Sequence, residues 1–284
     1  MAFILVGFFI LVSGVIYIAI YHFLHPRRQP KQAIPEDYGV KYEDVTFQAE
    51  DAFELRGWFI PAANPTDKVI IICHGYRGNK THTLEWGLFL RDKYNLFYFD
   101  FRTHGKSQGK VTTFGYHERK DVEAAICYLR TRSGIDHNQI GVMGLSMGAR
   151  TALLSSIKNQ EIKAIVADST PLDFEGIIKV FRNYYFIKWP LIKLARFYSN
   201  KFLHFSLDEM SLKRKAKKIK IPVLMIHAKN DPVVHAYNSQ MVYQNLGGPK
   251  ELWMTDCFEH GRSYFSFKRD YQEKVLQFFG RYIR

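Results

Sequence analysis

The sequence Gly144-Leu-Ser-Met-Gly148 follows the apolar run of residues 139–143 and precedes the helix-forming run of residues 149–154. A glycine-flanked serine between a predicted strand and a predicted helix is typical of a nucleophile elbow. The neighbours of the serine in such a turn have no room for a Cβ atom, which explains the two glycines. The strained turn presents the hydroxyl at the carboxyl end of the strand. Ser146 is therefore the leading candidate for a nucleophile.

Around this motif, apolar strand runs alternate with amphipathic helical runs. Alternating residues at 42–48 and 53–60 predict an antiparallel hairpin. Further strands are predicted at residues 68–73, 96–100, 139–143, 164–167, 223–227 and 251–254, and helices at residues 83–93, 116–131, 149–157, 237–245 and 270–283. This alternation favours an α/β fold with a mostly parallel central sheet and helices on both faces. In such sheets the functional site lies beyond the carboxyl ends of the strands.

The N-terminal residues 2–24 contain no Asp, Glu, Lys or Arg and are dominated by Phe, Ile, Leu and Val. At about 1.5 Å per residue, a helix of this length crosses a hydrocarbon core roughly 30 Å thick. A secretory signal peptide fits less well, because no basic residue precedes the run and no small-residue cleavage site follows it. We therefore expect an N-terminal transmembrane helix, a linker over residues 25–40 and a globular domain over residues 41–284.

The charge beside the predicted anchor indicates its orientation. The stretch His25-Pro-Arg-Arg-Gln-Pro-Lys31 is basic, whereas the short N-terminal side has no charged side chain. The positive-inside rule therefore predicts that the globular domain is cytoplasmic. The three cysteines, Cys73, Cys127 and Cys257, lack the spacing of a disulfide framework and agree with this location.

A segment over residues 171–220 interrupts the alternation, contains no convincing strand and is rich in aromatic residues. We interpret it as a helical cap inserted over the site. The formal net charge of the chain is +13, and twelve basic but only two acidic side chains lie between residues 176 and 220. No nucleic-acid recognition motif accompanies these charges. A solvated helix face would explain them, but a basic, aromatic cap beside a membrane anchor also suits anionic headgroups.

An activated serine needs a base and an acid that orients the base. Asp231 follows the strand predicted at residues 223–227, and His260 follows the strand predicted at residues 251–254. Both loops leave the same edge of the sheet as the serine turn, so their side chains can converge. We therefore predict a catalytic triad of Ser146, His260 and Asp231.

Other titratable residues near these loops are weaker candidates. Asp168 follows the strand after the serine turn and is the alternative acid. Asp256 follows the strand that supplies the base, and we interpret it as local loop structure. His74 and His235 are interpreted as structural residues.

The loop His74-Gly-Tyr-Arg-Gly-Asn79 directly follows the strand predicted at residues 68–73. Its glycines allow the backbone to curl so that an amide faces a reacting carbonyl group. The predicted oxyanion-hole donors are the backbone N–H groups of Tyr76 and of Met147, the residue after the nucleophile. Losing one such donor typically costs about 3–4 kcal/mol of transition-state stabilisation.

Five motifs together resemble the α/β-hydrolase superfamily over residues 41–284, and most closely its membrane-anchored serine hydrolases of the α/β-hydrolase-domain type. They are HGYRGN at 74–79, DFRTHGKSQG at 100–109, GLSMG at 144–148, KNDPVV at 229–234 and EHG at 259–261. The resemblance implies an α/β-hydrolase fold and an esterase, lipase, thioesterase or peptidase-type activity. It also implies that Asp100 and Arg102 brace the site and do not react.

The sequence therefore predicts a serine hydrolase that cleaves a carboxylic ester of a small molecule or lipid, with no metal or organic cofactor and no nucleic-acid partner. A peptidase would need an acidic group in the cap to bind a substrate amino terminus, and the cap is poor in acids. A non-catalytic binding module of the same fold would be expected to have a broken triad or elbow. The oligomeric state stays open.

Overall fold

The computed structural model describes residues 21–173 and 211–284, together with residues 14, 17, 18, 193, 196, 197, 199–201 and 209. Most of the transmembrane helix predicted at residues 2–24 and most of the cap predicted at residues 171–220 lie outside the described residues. Within the described part of the chain, no helix is both long and apolar enough to span a membrane.

The described residues contain an eight-stranded sheet. Its strands are β1 (Glu43–Gln48), β2 (Glu54–Ile60), β3 (Val69–Cys73), β4 (Asn95–Phe99), β5 (Ile140–Leu145), β6 (Ile162–Asp168), β7 (Val223–Ala228) and β8 (Lys250–Thr255). They lie in the order β1-β2-β4-β3-β5-β6-β7-β8. β1 pairs antiparallel with β2, β2 pairs antiparallel with β4, and the other neighbours are parallel. The predicted hairpin and the mostly parallel sheet are confirmed.

Helices cover the sheet. The α-helices whose full extent the structure describes are α1 (Leu84–Leu88), α2 (Glu118–Arg130), α3 (Met147–Ser155), α4 (Leu212–Lys215), α5 (Tyr237–Asn245), α6 (Ser263–Ser266) and α7 (Lys268–Tyr282). The single helix predicted at residues 83–93 is wrong, because α1 lies between two 3₁₀ turns, Lys80–Thr83 and Phe89–Asp92. The hydroxyl of buried Tyr98, in β4, donates to the Leu84 carbonyl at 3.1 Å and ties the start of α1 to the sheet.

Strand β3 shows why the sheet is buried on both sides. Val69, Ile71 and Cys73 belong to the core layer that contains α2 and α3, whereas Ile70 and Ile72 belong to the layer that contains α1 and α7. Successive side chains of a strand point to opposite faces, so a strand between two helical layers must be apolar throughout. Helices therefore lie on both faces of the sheet, as predicted.

Candidate active site

Ser146 occupies the turn between β5 and α3 with a left-handed backbone, at a φ of 53°. A Cβ atom at Gly144 would lie 2.6 Å from the backbone of α3, and one at Gly148 would lie 2.3 Å from a backbone carbonyl oxygen of β3. A serine at positive φ is strained and must be held by its surroundings. Here the Ser146 N–H donates to the Asp168 carbonyl at 2.8 Å.

The structure brings the side chains of Ser146, His260 and Asp231 together. His260 Nε2 lies 2.9 Å from Ser146 Oγ, and His260 Nδ1 lies 2.6 Å from Asp231 Oδ2. An ionised carboxylate only accepts hydrogen bonds, so Nδ1 carries the proton and Nε2 accepts from the serine hydroxyl. This is the arrangement in which an imidazole can take a proton from a serine.

Asp231 is held as an ionised acceptor. Its second oxygen, Oδ1, accepts from the backbone N–H groups of Val233 and Val234, both at 2.8 Å. Burial alone would raise the pKa of Asp231, but hydrogen bonds from His227 and His260 bring that pKa below the usual value of a carboxyl group. Asp231 can therefore stabilise a positive charge on His260.

The sequence did not single out His227, a second imidazole at this site. It lies in β7 and is fully buried, and its Nε2 is 3.4 Å from Asp231 Oδ2. The same nitrogen donates to the Val234 carbonyl at 2.7 Å, while Nδ1 lies 2.6 Å from Ser239 Oγ. His227 thus holds the turn that carries Asp231. The available signal was a histidine near the end of an otherwise apolar buried strand.

The loop after β3 lies against the serine. A Cβ atom at Gly75 would be 3.5 Å from Ser146 Cβ, and Tyr76 follows directly along the chain. Met147 is the first residue of α3. The two residues predicted to supply oxyanion-hole amides therefore flank Ser146 from different elements.

Buried His74 ties this loop to the loop after β4. Its Nδ1 donates to the Gly75 carbonyl at 2.8 Å, and its Nε2 accepts from the Phe101 N–H at 3.0 Å. Burial lowers the pKa of His74 to about 3. His74 is therefore a neutral connection between two loops at physiological pH.

Asp100 and Arg102 act as braces in the loop after β4. The Asp100 carboxylate accepts from the Lys80 backbone N–H at 2.8 Å and from the Lys80 ammonium at 2.6 Å. A Cβ atom at Gly105 would fall 2.2 Å from Asp100 Cγ, so the turn needs glycine. Arg102 donates from two nitrogens to buried Asp121. These contacts fix the loop that packs beside the oxyanion loop.

The alternative acids face other partners. The Asp168 carboxylate accepts from the hydroxyls of Ser169 and Tyr271, each at 2.9 Å, and burial raises the pKa of Asp168. Asp256 forms an exposed ion pair with Lys229 at 2.6 Å. Of the carboxylates considered from the sequence, Asp231 is the one that the structure places against His260.

The three cysteines are free thiols, of which Cys73 and Cys257 are buried and Cys127 is exposed. Among the residues that the structure describes, no group of three or more His, Cys, Asp or Glu side chains is arranged to hold a metal ion.

A protein-family model matches most of the predicted hydrolase domain. The prolyl oligopeptidase family model matches residues 100–284. The chain is 31% identical over 231 residues to the uncharacterized protein YqkD of Bacillus subtilis, covering 80% of this chain and 75% of that protein. It is also 29% identical over 267 residues to the alpha/beta hydrolase domain-containing protein WAV2 of Arabidopsis thaliana, covering 84% of this chain and 81% of that protein.

Solved structures agree on the fold. The Pyrococcus furiosus esterase Pf2001 is 31% identical with a TM-score of 0.75, covering 91% of this chain and all of that one. The Pyrococcus horikoshii acylaminoacyl peptidase is 20% identical with a TM-score of 0.66, covering 89% of this chain but 44% of that one, and shares the fold. The α/β-hydrolase fold implied by the sequence motifs is confirmed. On these similarities, the chain belongs to the prolyl oligopeptidase family of α/β hydrolases.

Proposed function

We propose that the protein is a serine hydrolase that cleaves carboxylic esters through an acyl-enzyme intermediate. The observation that carries this proposal is the chain of two short contacts, 2.9 Å from Ser146 Oγ to His260 Nε2 and 2.6 Å from His260 Nδ1 to Asp231 Oδ2. A serine hydroxyl is a weak nucleophile by itself and needs such a base to react.

In the acylation step, Ser146 Oγ attacks the acyl carbon while its proton moves to His260 Nε2. Asp231 holds the resulting imidazolium, and the amides of Tyr76 and Met147 donate to the developing oxyanion. The tetrahedral intermediate collapses as His260 gives the proton to the leaving alkoxide, which departs as an alcohol. Water then attacks the acyl-enzyme by the same route, releases the carboxylic acid and restores the serine.

Esters are the favoured substrate class. The Pyrococcus furiosus protein, 31% identical over its whole length, is named an esterase. The cap segment predicted at residues 171–220 has four acidic and twelve basic side chains, a balance that does not favour the binding of a positively charged substrate amino terminus. Peptide hydrolysis is the second candidate, because the matching family is named for an oligopeptidase.

The proposal extends to the membrane. Residues 2–24 have the length and apolarity of an anchor, and the basic flank supports a cytoplasmic location of the domain through the positive-inside rule. At the end of the cap segment, Leu212, Ala216 and Ile219 are buried, whereas Lys213, Arg214, Lys217, Lys218 and Lys220 are exposed. This arrangement presents a basic surface without breaking the core, and such a surface favours an anionic leaflet by about 1 kcal/mol for each cation.

The membrane contact is tested with matched double variants of the full chain. Lys217→Gln with Lys218→Gln is expected to slow hydrolysis of an ester presented in anionic vesicles and to leave hydrolysis of a soluble short-chain ester unchanged. Lys41→Gln with Lys93→Gln removes two exposed lysines elsewhere and is the control. Equal rates of both double variants on anionic vesicles would contradict a role for the basic surface.

The reaction class is tested by labelling the full chain with a fluorophosphonate probe. Labelling is expected in the wild type and lost in Ser146→Ala. A series of p-nitrophenyl esters of increasing chain length, an acyl thioester and a peptide amide then ranks the substrate classes. Absence of labelling would favour a non-catalytic module, and faster cleavage of the amide than of the esters would favour the peptidase.

A further inference from the structure

The segment before the hydrolase domain is attached to the loops around the serine. We call residues 21–32 the N-terminal strap. Its residues 21–24 are helical and Leu24 is buried, with 6% of its surface exposed. The Tyr76 hydroxyl donates to the Phe23 carbonyl at 2.8 Å, and the Thr112 N–H donates to the Leu24 carbonyl at 2.8 Å. The last turn of the strap helix therefore bonds to two separate loops.

An aromatic cluster reinforces these bonds. The ring of Phe23 stacks on Tyr76 with centroids 5.1 Å apart, and on Phe114 with centroids 5.4 Å apart. Tyr76 and Phe114 also contact each other, at 5.4 Å. Phe23 therefore contacts both members of a ring pair that also contact each other, and its removal would take away two of the three ring contacts.

Farther along, the strap makes polar contacts with the loops after β3 and β4. The Arg28 guanidinium donates to the carbonyls of His104, Gly105 and Gly109, the first and last at 3.3 Å. The Asn79 side chain donates to the Gln29 carbonyl at 3.2 Å. Another strap bond runs from the backbone N–H of Gln32 to Thr81 Oγ1, at 3.0 Å.

The two loops that bond to the strap either contain or contact the proposed oxyanion donors. Tyr76 supplies one amide itself, next to the point where Gly75 meets Ser146. Thr112, bonded to the strap through its backbone, places its Oγ1 3.9 Å from the sulfur of Met147, the residue that supplies the other amide. One segment thus contacts the surroundings of two donors that come from different elements.

The oxyanion loop needs such support. Arg77 has a left-handed backbone with a φ of 61°, a conformation that a side chain disfavours. A transition-state donor is effective only if it is already in position when charge develops. Contacts from outside the domain restrain the loop in that conformation.

We infer that the N-terminal strap positions the oxyanion hole, with Phe23 and Arg28 as positioning residues, so that the last residues of the predicted anchor and the first residues of the predicted linker hold the catalytic loops in place. This inference rests on the proposed serine hydrolase activity. It assigns to residues 21–32 a role in turnover that a flexible tether would not have.

The test uses point variants of the full chain. Phe23→Ala is expected to lower kcat for a soluble p-nitrophenyl ester by about tenfold with KM within about twofold of the wild type, because a displaced amide weakens the transition state and not substrate binding. Phe23→Tyr keeps the ring and is expected to recover most of the loss. Arg28→Gln is expected to lower kcat, whereas Arg27→Gln, at the exposed neighbouring arginine, serves as the matched control.

Hydrogen exchange supplies a readout that needs no substrate. Peptides covering residues 74–81 and 112–114 are expected to exchange faster in Phe23→Ala and Arg28→Gln than in the wild type and in Arg27→Gln. Wild-type kcat in Phe23→Ala, or unchanged exchange of these peptides, overturns the inference. If the wild type neither hydrolyses esters nor takes the fluorophosphonate label, the proposed function fails, and exchange alone then decides whether the strap restrains the loop.

Discussion

Two buried carboxylates, Asp168 and Asp231, lie at the carboxyl ends of neighbouring strands, but they accept hydrogen bonds from different donors and their pKa values shift in opposite directions. Asp168 ends β6 and accepts from the hydroxyls of Ser169 and Tyr271, whereas Asp231 follows β7 and accepts from His260 and two backbone amides. Burial raises the pKa of Asp168, but the donors around Asp231 outweigh burial and lower its pKa. Burial and position at a strand end therefore do not determine which carboxylate can act as the acid of the triad. The hydrogen-bond donors around each carboxylate determine it.

The largest expected effect is that of Asp231→Asn. It removes the charge that stabilises the imidazolium and orients the ring, and kcat is expected to fall by about 10⁴-fold. Steady-state kinetics on a soluble ester measure the loss, and Asp256→Asn, at an exposed carboxylate four residues before His260, is the control. A loss of less than about tenfold in Asp231→Asn would show that another acid does the work.

A smaller loss is expected from His227→Phe, which removes the donor shared by Asp231 and the Val234 carbonyl. Displacing a catalytic group by about 1 Å can cost up to about 100-fold, so kcat is expected to fall by roughly 10- to 100-fold with KM little changed. His227→Gln keeps a donor and should recover part of the rate. If folded His227→Phe turned over at the wild-type rate, Asp231 would hold its position without this histidine.

Asp168→Asn should change kcat by less than about threefold. The bond that Asp168 makes to the Ser146 N–H uses its backbone carbonyl, which the substitution retains. The side chain faces Ser169 and Tyr271. Measured beside Asp231→Asn, a comparable collapse of kcat in Asp168→Asn would reverse the assignment of the two carboxylates.

The smallest effect concerns the pH dependence of stability, whose sign should differ between the two sites. With a folded-state pKa below its unfolded value of about 3.9, Asp231 contributes stability above that pH and loses it as the pH falls through the folded pKa. With a raised folded-state pKa, Asp168 binds its proton more tightly when folded, so its contribution falls as the pH rises above about 3.9.

Urea unfolding of the wild type and of both asparagine variants, from about pH 3 upward, would measure these contributions. The stability of the wild type relative to Asp231→Asn is expected to increase with pH and then level off. Relative to Asp168→Asn it is expected to decrease with pH. Parallel curves for the two variants would mean that the two carboxylates do not differ in folded-state pKa.

The parts of the site that the sequence predicts are those encoded in local patterns. The glycines beside Ser146 and the loops at strand ends can each be recognised in a stretch of fewer than ten residues. The structure brings the side chains from these stretches, Ser146, His260 and Asp231, together. His227 acts through its contacts with the turn that carries Asp231, and the sequence of β7 alone shows only a polar residue in an apolar strand.

The role of the N-terminal strap cannot be predicted from sequence patterns, because it depends on contacts with distant loops. The proline and basic residues of the strap have no helical or strand periodicity and are typical of a linker. Its contacts join residues 53 positions apart, from Phe23 to Tyr76, and 81 positions apart, from Arg28 to Gly109. Such pairings depend on where the completed domain places its loops.

The most direct test of the proposed chemistry is to trap the acyl-enzyme. The full chain is mixed with p-nitrophenyl acetate, quenched in acid during turnover and mapped by peptide mass spectrometry. An acetyl group on Ser146 that accumulates in step with product release, and is missing in Ser146→Ala, is the expected result. Turnover without an acyl group on Ser146, or with the acyl group carried by Cys257 instead, would contradict the serine mechanism.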